Sequence, residues 1–245
     1  MISVQPKTDK QKLWYDLHKK NPDGHFLVVG SAGTGKTFCT MDMALRDLLE
    51  PSSKYDKIII IRSAVSIRGQ GFLPGTIEEK NAVFERPYSD VVDVLMQRKK
   101  SYANLKELGK IEFDSTSYLR GLTYDNCIVI LDEVQNFTWP EIYGAVTRLG
   151  EHSKLVILGD ELQDDLVFKR FEESGIQKLH KVATKMKSFN IVTFQPEDIV
   201  RSGFVKEFIT QSKAVQDYHE IDYLHGAKNK EPIRQHRYED ERYKD

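Results

Sequence analysis

The sequence predicts an α/β fold: a mainly parallel sheet with helices on both faces. Three observations predict it. The stretch VVGSAGTGKTF at 28–38 places Gly-x-x-x-x-Gly-Lys-Thr directly after the apolar run Phe-Leu-Val-Val at 26–29 and directly before a helical pattern carried by Cys39, Met43, Ala44 and Leu48. A glycine-rich turn between a strand and a helix points backbone N–H groups at an anion. Further runs, KIIIIRS at 57–63, NCIVILDE at 126–133, SKLVILGD at 153–160 and NIVTF at 190–194, are almost wholly apolar. Strands buried on both faces of a parallel sheet read this way. Two of the runs deliver acids at their carboxyl ends, where ligands of open α/β sheets bind.

The elements follow in order. Residues 9–20 predict a helix with Leu13, Trp14 and Leu17 on one face, and NPDG at 21–24 predicts a turn. After the first strand and the helix from Lys36, PSSKYD at 51–56 is a loop before the second strand. GQGFLPG at 69–75, with three glycines and a proline, is a shaped loop rather than a regular element. Residues 88–108, carrying Val91, Val92, Leu95, Met96, Leu105 and Leu108, predict a helical pair or insertion, and KIEFDSTSYLRG at 110–121 follows without a clear pattern. WPEIYGAVTRLG at 139–150 predicts a helix, with Pro140 well placed near its start. The core therefore spans 1–212, and the polar stretch 213–245 is expected to be a flexible tail or an arm that docks on a neighbour.

Composition narrows the class. The chain of 245 residues is 40% hydrophobic and 30% charged, with net charge −1. It is long enough for one large α/β domain and is not a generally basic nucleic-acid binder. A local patch is still open, with Arg62, Arg68, RKK at 98–100 (Arg98, Lys99 and Lys100) and the mixed-charge tail as candidates for it or for an ordinary solvated surface. No run of eighteen apolar residues predicts a membrane span, and MISVQPKTDK lacks an apolar signal core. Cys39 and Cys127, in or beside apolar segments, fit a reducing compartment and hence a cytoplasmic location, that of the host cell if the chain is viral.

The chemistry is phosphate chemistry. Gly30, Ser31, Ala32, Gly33, Thr34 and Gly35 form the cradle, Lys36 reaches the outer phosphates and the Thr37 hydroxyl ligands Mg²⁺. Asp132 is suited to the Mg²⁺ coordination sphere, through water, and Glu133 to polarising the attacking water. VILGDELQ at 156–163 ends a further strand in Asp160, with Gln163 three residues on, an amide suited to sensing the γ-phosphate. Gln135 and Asn136 extend the acidic motif, where their amides could couple the site to a neighbouring segment. Gln11 is either a partner of the adenine edge or a solvent-facing helix residue. Arg62, Arg120, Arg148 and Arg201 are candidates for the arginine that meets charge on the transferring phosphoryl group; Arg62 and Arg201 are equally suited to structural ion pairs. The expected cofactors are ATP and Mg²⁺, and no Cys-x-x-Cys or His-Glu-x-x-His pattern suggests a zinc site.

The segments GSAGTGKT, GQGFLPGTIEEK, YLRGLTYDNCIVILDEVQNFT, TRLGEHSKLVILGDELQDDL, SGI and DIVRSGFVKEFI together resemble the PhoH-like ATPases, in a viral form, over about residues 8–210. The resemblance implies a single RecA-like core, similar to one lobe of superfamily 1 helicases, with ATP hydrolysis and an association with RNA or single-stranded nucleic acid. It places Lys36 and Thr37 as the phosphate-loop pair, Asp132 and Glu133 as the metal and water pair, Gln163 as the third-motif glutamine and Arg201 as the arginine near the end of the core. Ser63 stands where relatives often have proline, and Val134 gives DEVQ in place of the usual DEAQ. Some members carry an added PIN ribonuclease domain and are hexameric. The length leaves no room for that domain or for a second lobe, so a self-contained helicase or nuclease is not expected.

Four classes compete. An ATPase coupled to single-stranded RNA or DNA leads, and an ATP-dependent protein assembly or remodelling factor follows. A small-molecule kinase would not ask for Gln163, and a degenerate binding module would not keep Lys36, Thr37, Asp132 and Glu133. One lobe covers the phosphates from one side only, so a homo-oligomer, a hexameric ring, is expected, with Arg201 or Arg148 reaching across the boundary.

Overall fold

The computed structural model describes residues 1–63, 77–116, 123–160 and 175–212. The loop at 69–75, Arg68, Arg120, Gln163 and the polar stretch 213–245 lie outside the described residues. Helix α1 (Asp9–Lys20) leads to β1 (His25–Val29), α2 (Lys36–Leu49) and β2 (Lys57–Arg62). Then come α3 (Ile77–Met96), α4 (Ser101–Glu107), β3 (Ile111–Ser115) and β4 (Cys127–Leu131). A 3₁₀ turn (Val134–Asn136), α5 (Trp139–Val146), β5 (Lys154–Gly159), α6 (Ile176–Ala183) and β6 (Phe189–Thr193) follow, and α7 covers 203–212.

Among the described residues six strands form one sheet in the order β3-β2-β4-β5-β1-β6. Every pairing is parallel. Alternate side chains of each strand enter different cores. Phe26, Val28, Ile58, Ile60, Ile128, Ile130, Val156 and Leu158 face the layer built from α1, α2, α3 and α4. Leu27, Val29, Ile59, Ile61, Val129, Leu131, Leu155 and Ile157 face the layer built from α5 and α6. That double burial is why these strands read as unbroken apolar runs. The topology is the RecA-like one: β5 separates the strand that feeds the phosphate loop from the strand that ends in the acid pair, and all carboxyl ends share one rim.

Residues 88–108 fall on α3 and α4, which form the crossover between β2 and β3 and bury Tyr88, Val92, Leu95, Tyr102 and Leu105 in the first core. Pro87 lies inside α3. The edge strand β3, where the sequence shows no clear pattern, carries Glu112 and Asp114 outward between the buried Ile111 and Ser115. Half-exposed edge strands lack the apolar run that marks the central ones. Helix α5 opens with Thr138 and Glu141 in a capping box and Pro140 in its first turn. No helix of the described residues is long and apolar enough to cross a membrane.

At the amino ends of the strands a polar network replaces apolar packing. Lys154, 1% exposed, donates to Asp47 and to the carbonyl of Pro22 at 3.0 Å. Asp47 also meets His18 at 2.9 Å. Burial pushes the Asp47 carboxyl upward, but the His18 hydrogen bond and the Lys154 charge together hold it below its ordinary value. Removing one partner of a buried ion pair strands the other charge.

Asp47→Ala should therefore lower the unfolding free energy by about 3–5 kcal/mol in urea denaturation. The double variant Asp47→Ala with Lys154→Met should lose much less; equal losses would show that the stranded ammonium is not the cause. The Asp47 contribution is present above the unfolded carboxylate pKa of about 4 and lost as pH falls through the depressed folded value.

Candidate nucleotide site

The phosphate loop takes its shape from two glycines. Gly30, at φ +141°, lies so close to β6 that a Cβ would stand 2.5 Å from the carbonyl oxygen of Phe194. Gly35, at φ +85°, is the left-handed residue that starts α2, and a Cβ there would meet the Gln11 amide at 2.9 Å. The Thr34 hydroxyl, fully buried, donates to the Ser31 carbonyl at 3.0 Å and closes the turn. Lys36 Nζ donates to the carbonyls of Gly30 at 2.5 Å and Ser31 at 2.9 Å. Burial pushes its ammonium pKa down, and Asp160, Asp132 and Glu133 act against that shift.

The parallel register brings the acid pair to this loop. The Thr37 hydroxyl lies 3.2 Å from Asp132 Oδ2, and the Asp132 N–H donates to the Ile61 carbonyl of the neighbouring strand at 3.0 Å. Asp132 Oδ1 accepts the Glu133 N–H at 2.9 Å. Glu133 itself has left-handed backbone, φ 58° and ψ 44°, a conformation that costs a non-glycine residue about 1 kcal/mol or more and concentrates at functional sites. The Gln135 amide holds its carboxylate, donating to Oε2 at 2.6 Å, while Gln135 Oε1 accepts the Asp160 N–H at 2.9 Å. Gln135, 1% exposed, thus ties the acid pair to the end of β5. Burial first, and the Asp132 charge second, raise the Glu133 pKa; Arg62, 4.0 Å away, opposes them.

Gly35, Lys36, Thr37, Arg62, Asp132, Glu133 and Asp160 line one cavity of about 890 Å³ together with Ala32, Gly33, Phe38, Tyr88, Val91 and Arg201. The residues fit a magnesium nucleotide: a left-handed glycine turn for the phosphates, an ammonium beside it, and a hydroxyl and a carboxylate converging where the metal would sit. Among the described residues no three His, Cys, Asp or Glu side chains are grouped so as to hold a metal ion by themselves; Mg²⁺ on a phosphate chain needs only one or two protein oxygens. Arg201 is exposed and lies beside its own loop: the Val200 N–H donates to the Gly33 carbonyl at 2.9 Å, and a Cβ on Gly33 would stand 2.8 Å from Arg201 Cγ. Arg148 is half-buried, with its carbonyl accepting the Tyr124 N–H at 2.8 Å. Lys99 and Lys100 are exposed on the turn between α3 and α4.

Gln11 is not solvent-facing, and it lines the cavity. It is 4% exposed; its Nε2 donates to the Thr34 carbonyl at 2.9 Å, and its Oε1 accepts the Lys7 N–H at 2.8 Å. Both ends of the amide brace the phosphate loop and the amino-terminal segment. That segment is a wall that periodicity does not announce: Ile2, Ser3, Val4, Gln5 and Lys7 line the cavity, and Ile2 is pinned by its N–H to the Leu95 carbonyl at 2.8 Å and by Arg46 Nη2 to its own carbonyl at 2.6 Å. Sequence spacing does not single out Tyr88 either, although it lines the cavity beside the acid pair.

Gln11→Ala should weaken ATP and GTP binding alike and lower the thermal midpoint, as loss of a loop brace would. A selective loss of ATP affinity in calorimetry would instead make Gln11 a reader of the base. Glu133→Gln should keep nucleotide affinity and slow hydrolysis at least ~100-fold, on the order of a lost general base. Because the folded protein disfavours the ionised Glu133, the amide should leave the thermal midpoint at about pH 7–8 equal to or above that of the parent; the difference should shrink as pH falls below the raised folded pKa and vanish below the unfolded carboxyl pKa of about 4. A clear drop in the midpoint at neutral pH would contradict this.

A profile of the PhoH-like protein family matches residues 3–213. The PhoH-like protein of Synechocystis sp. is 34% identical over 207 residues, 84% of this chain and 61% of that protein. The PhoH-like protein of Bacillus subtilis is 34% identical over 210 residues, covering 84% and 63%. Protein PhoH of Escherichia coli K12 is 38% identical over 181 residues, covering 72% and 49%. The chain thus spans 49–63% of the length of these relatives. Among solved structures, the large terminase of a thermophilic bacteriophage overlays with a TM-score of 0.46 at 14% identity, over 83% of this chain and 49% of that one. The Pif1 helicase of Candida albicans overlays with a TM-score of 0.33 at 18% identity, over 80% and 41%. With the family match running almost the whole length of the described fold, the chain belongs to the PhoH-like protein family.

Proposed function

We propose that this chain is a Mg²⁺-dependent ATPase that works in a homo-oligomer and couples hydrolysis to single-stranded RNA or DNA. The observation that carries the reading is the convergence of Lys36, Thr37, Asp132 and Glu133 on one cavity, with Thr37 and Asp132 Oδ2 3.2 Å apart. In this reading Lys36 neutralises the outer phosphates, Thr37 and Asp132 hold the metal and its water, and Glu133 orients the attacking water. Bound Mg²⁺ would supply charge neutralisation across the phosphates. Burial and the Asp132 charge raise the Glu133 pKa, which makes it a stronger proton acceptor than a free carboxylate. Gln163, outside the described residues, completes the set as a γ-phosphate sensor.

Two features support assembly. Arg201 on the cavity wall is exposed, and α7 just beyond it exposes Phe204 at 78% and Phe208 at 65%. Large exposed aromatics one turn apart are what an interface covers. The contact of Arg201 with its own loop favours action in cis; a neighbour would then exclude water and not supply this arginine. The coupling to nucleic acid rests on the family resemblance and on exposed Lys99 and Lys100.

Phosphate release with and without single-stranded RNA and DNA tests the reading. Lys36→Ala should abolish turnover, and a single strand should raise the parent rate several-fold, an effect that fades steeply with salt. Turnover without stimulation would favour a protein-remodelling ATPase; unchanged turnover in Lys36→Ala would remove the hydrolysis site. Mixing Lys36→Ala with Arg201→Ala subunits should restore no activity if Arg201 acts in cis, and a monomeric mass by light scattering at full activity would overturn the oligomer.

A further inference from the structure

Tyr88 is a buried phenol at the metal end of the site, and the proposed hydrolysis leaves it without a role. It is 1% exposed, and its hydroxyl donates to Asp132 Oδ2 at 2.7 Å. That oxygen also takes the Thr37 hydroxyl at 3.2 Å, while Oδ1 is held by the Glu133 N–H. The ring packs against Phe113 at 5.8 Å between centroids. Four residues earlier on the same face of α3, the Phe84 ring lies under the Arg62 guanidinium at 5.7 Å, and Arg62 approaches Glu133 at 4.0 Å. Spacing of four places both side chains on one stripe of a helix. One helix therefore reaches both acids, Asp132 directly and Glu133 through Arg62.

A carboxylate that holds a metal-bound water must present its lone pairs in fixed directions, and outer partners set those directions. A Thr37 oxygen that turns to the metal gives it a lone pair and keeps its proton for Asp132. Among the described residues Tyr88 is the other side-chain donor to Oδ2, and it reaches that oxygen from a different helix. We propose that Tyr88 is a positioning residue for the metal carboxylate, its hydroxyl fixing the Asp132 rotamer in which the metal water is held. The inference rests on the proposed magnesium-nucleotide site. The competing account is that the phenol bonds Asp132 only to satisfy its own buried hydroxyl. In that case losing the hydroxyl changes stability and nothing else.

Tyr88→Phe separates the two, since it keeps the ring and its packing. A fluorescent ATP analogue, titrated in EDTA and at graded Mg²⁺, gives a readout independent of turnover. Positioning predicts unchanged affinity in EDTA, a Mg²⁺ midpoint raised by about ten-fold or more, and a kcat reduced by a similar factor. Tyr88→Leu, which also loses the ring, should unfold at a lower temperature but show the same raised Mg²⁺ midpoint. A Mg²⁺ midpoint within about two-fold of the parent in folded Tyr88→Phe overturns the proposal. So does a parent protein whose nucleotide binding ignores Mg²⁺. If the parent binds Mg²⁺-nucleotide but does not hydrolyse it, the hydrolysis reading fails while the binding titration still decides the role of Tyr88.

Discussion

The Asp132 carboxylate draws donors from α2 through Thr37, from α3 through Tyr88 and from its own strand end through the Glu133 N–H. It is 5% exposed, so each of these bonds forms in a poorly screened setting. An ionised group so placed is costly unless its lone pairs are filled. The site is arranged around that requirement. Thr37 must start α2, Tyr88 must lie at this depth on α3, and β4 must end level with the phosphate loop. The sheet supplies the level: in the β4–β5 and β5–β1 registers, Leu131 pairs with Ile157, which pairs with Leu27, so Asp132 emerges level with Val28, where β1 is about to enter the phosphate loop.

Double-sided burial also decides where polar groups are tolerated. The carboxyl rim carries the chemistry, and the amino rim carries the Lys154–Asp47–His18 network. Between them the sheet is apolar on both faces. The strained Glu133 backbone is held in place by this rigid frame, with Gln135 locking its side chain to β5.

Local features of the site were legible in the sequence, and distant ones were not. Gly30, Lys36 and Thr37 are fixed by spacing within one turn, and the central strands β1, β2, β4 and β5 announce themselves as apolar runs. Strand β3 was hidden because Glu112 and Asp114 interrupt it at an open edge. Gln11 could be placed on a helix, but the bond that defines it reaches Thr34, 23 residues on. Tyr88 meets Asp132 across 44 residues, a contact that no periodicity encodes. The amino-terminal wall has no regular element and is held by isolated bonds to Leu95, Arg46 and Gln11, so it leaves no pattern at all. Gln163 and the glycine-rich loop at 69–75 are known here from sequence only.

Pro87 sits between the two residues through which α3 reaches the acids. It has no N–H for the carbonyl four residues earlier, so the helix ladder is interrupted between Phe84 and Tyr88. Helices bend at such breaks. Each side of this gap has its own anchor: Phe84 packs on the Arg62 guanidinium above it, and Tyr88 is held below it by Asp132 and Phe113. The two acids are thus served by helix segments that share no hydrogen bond through Pro87.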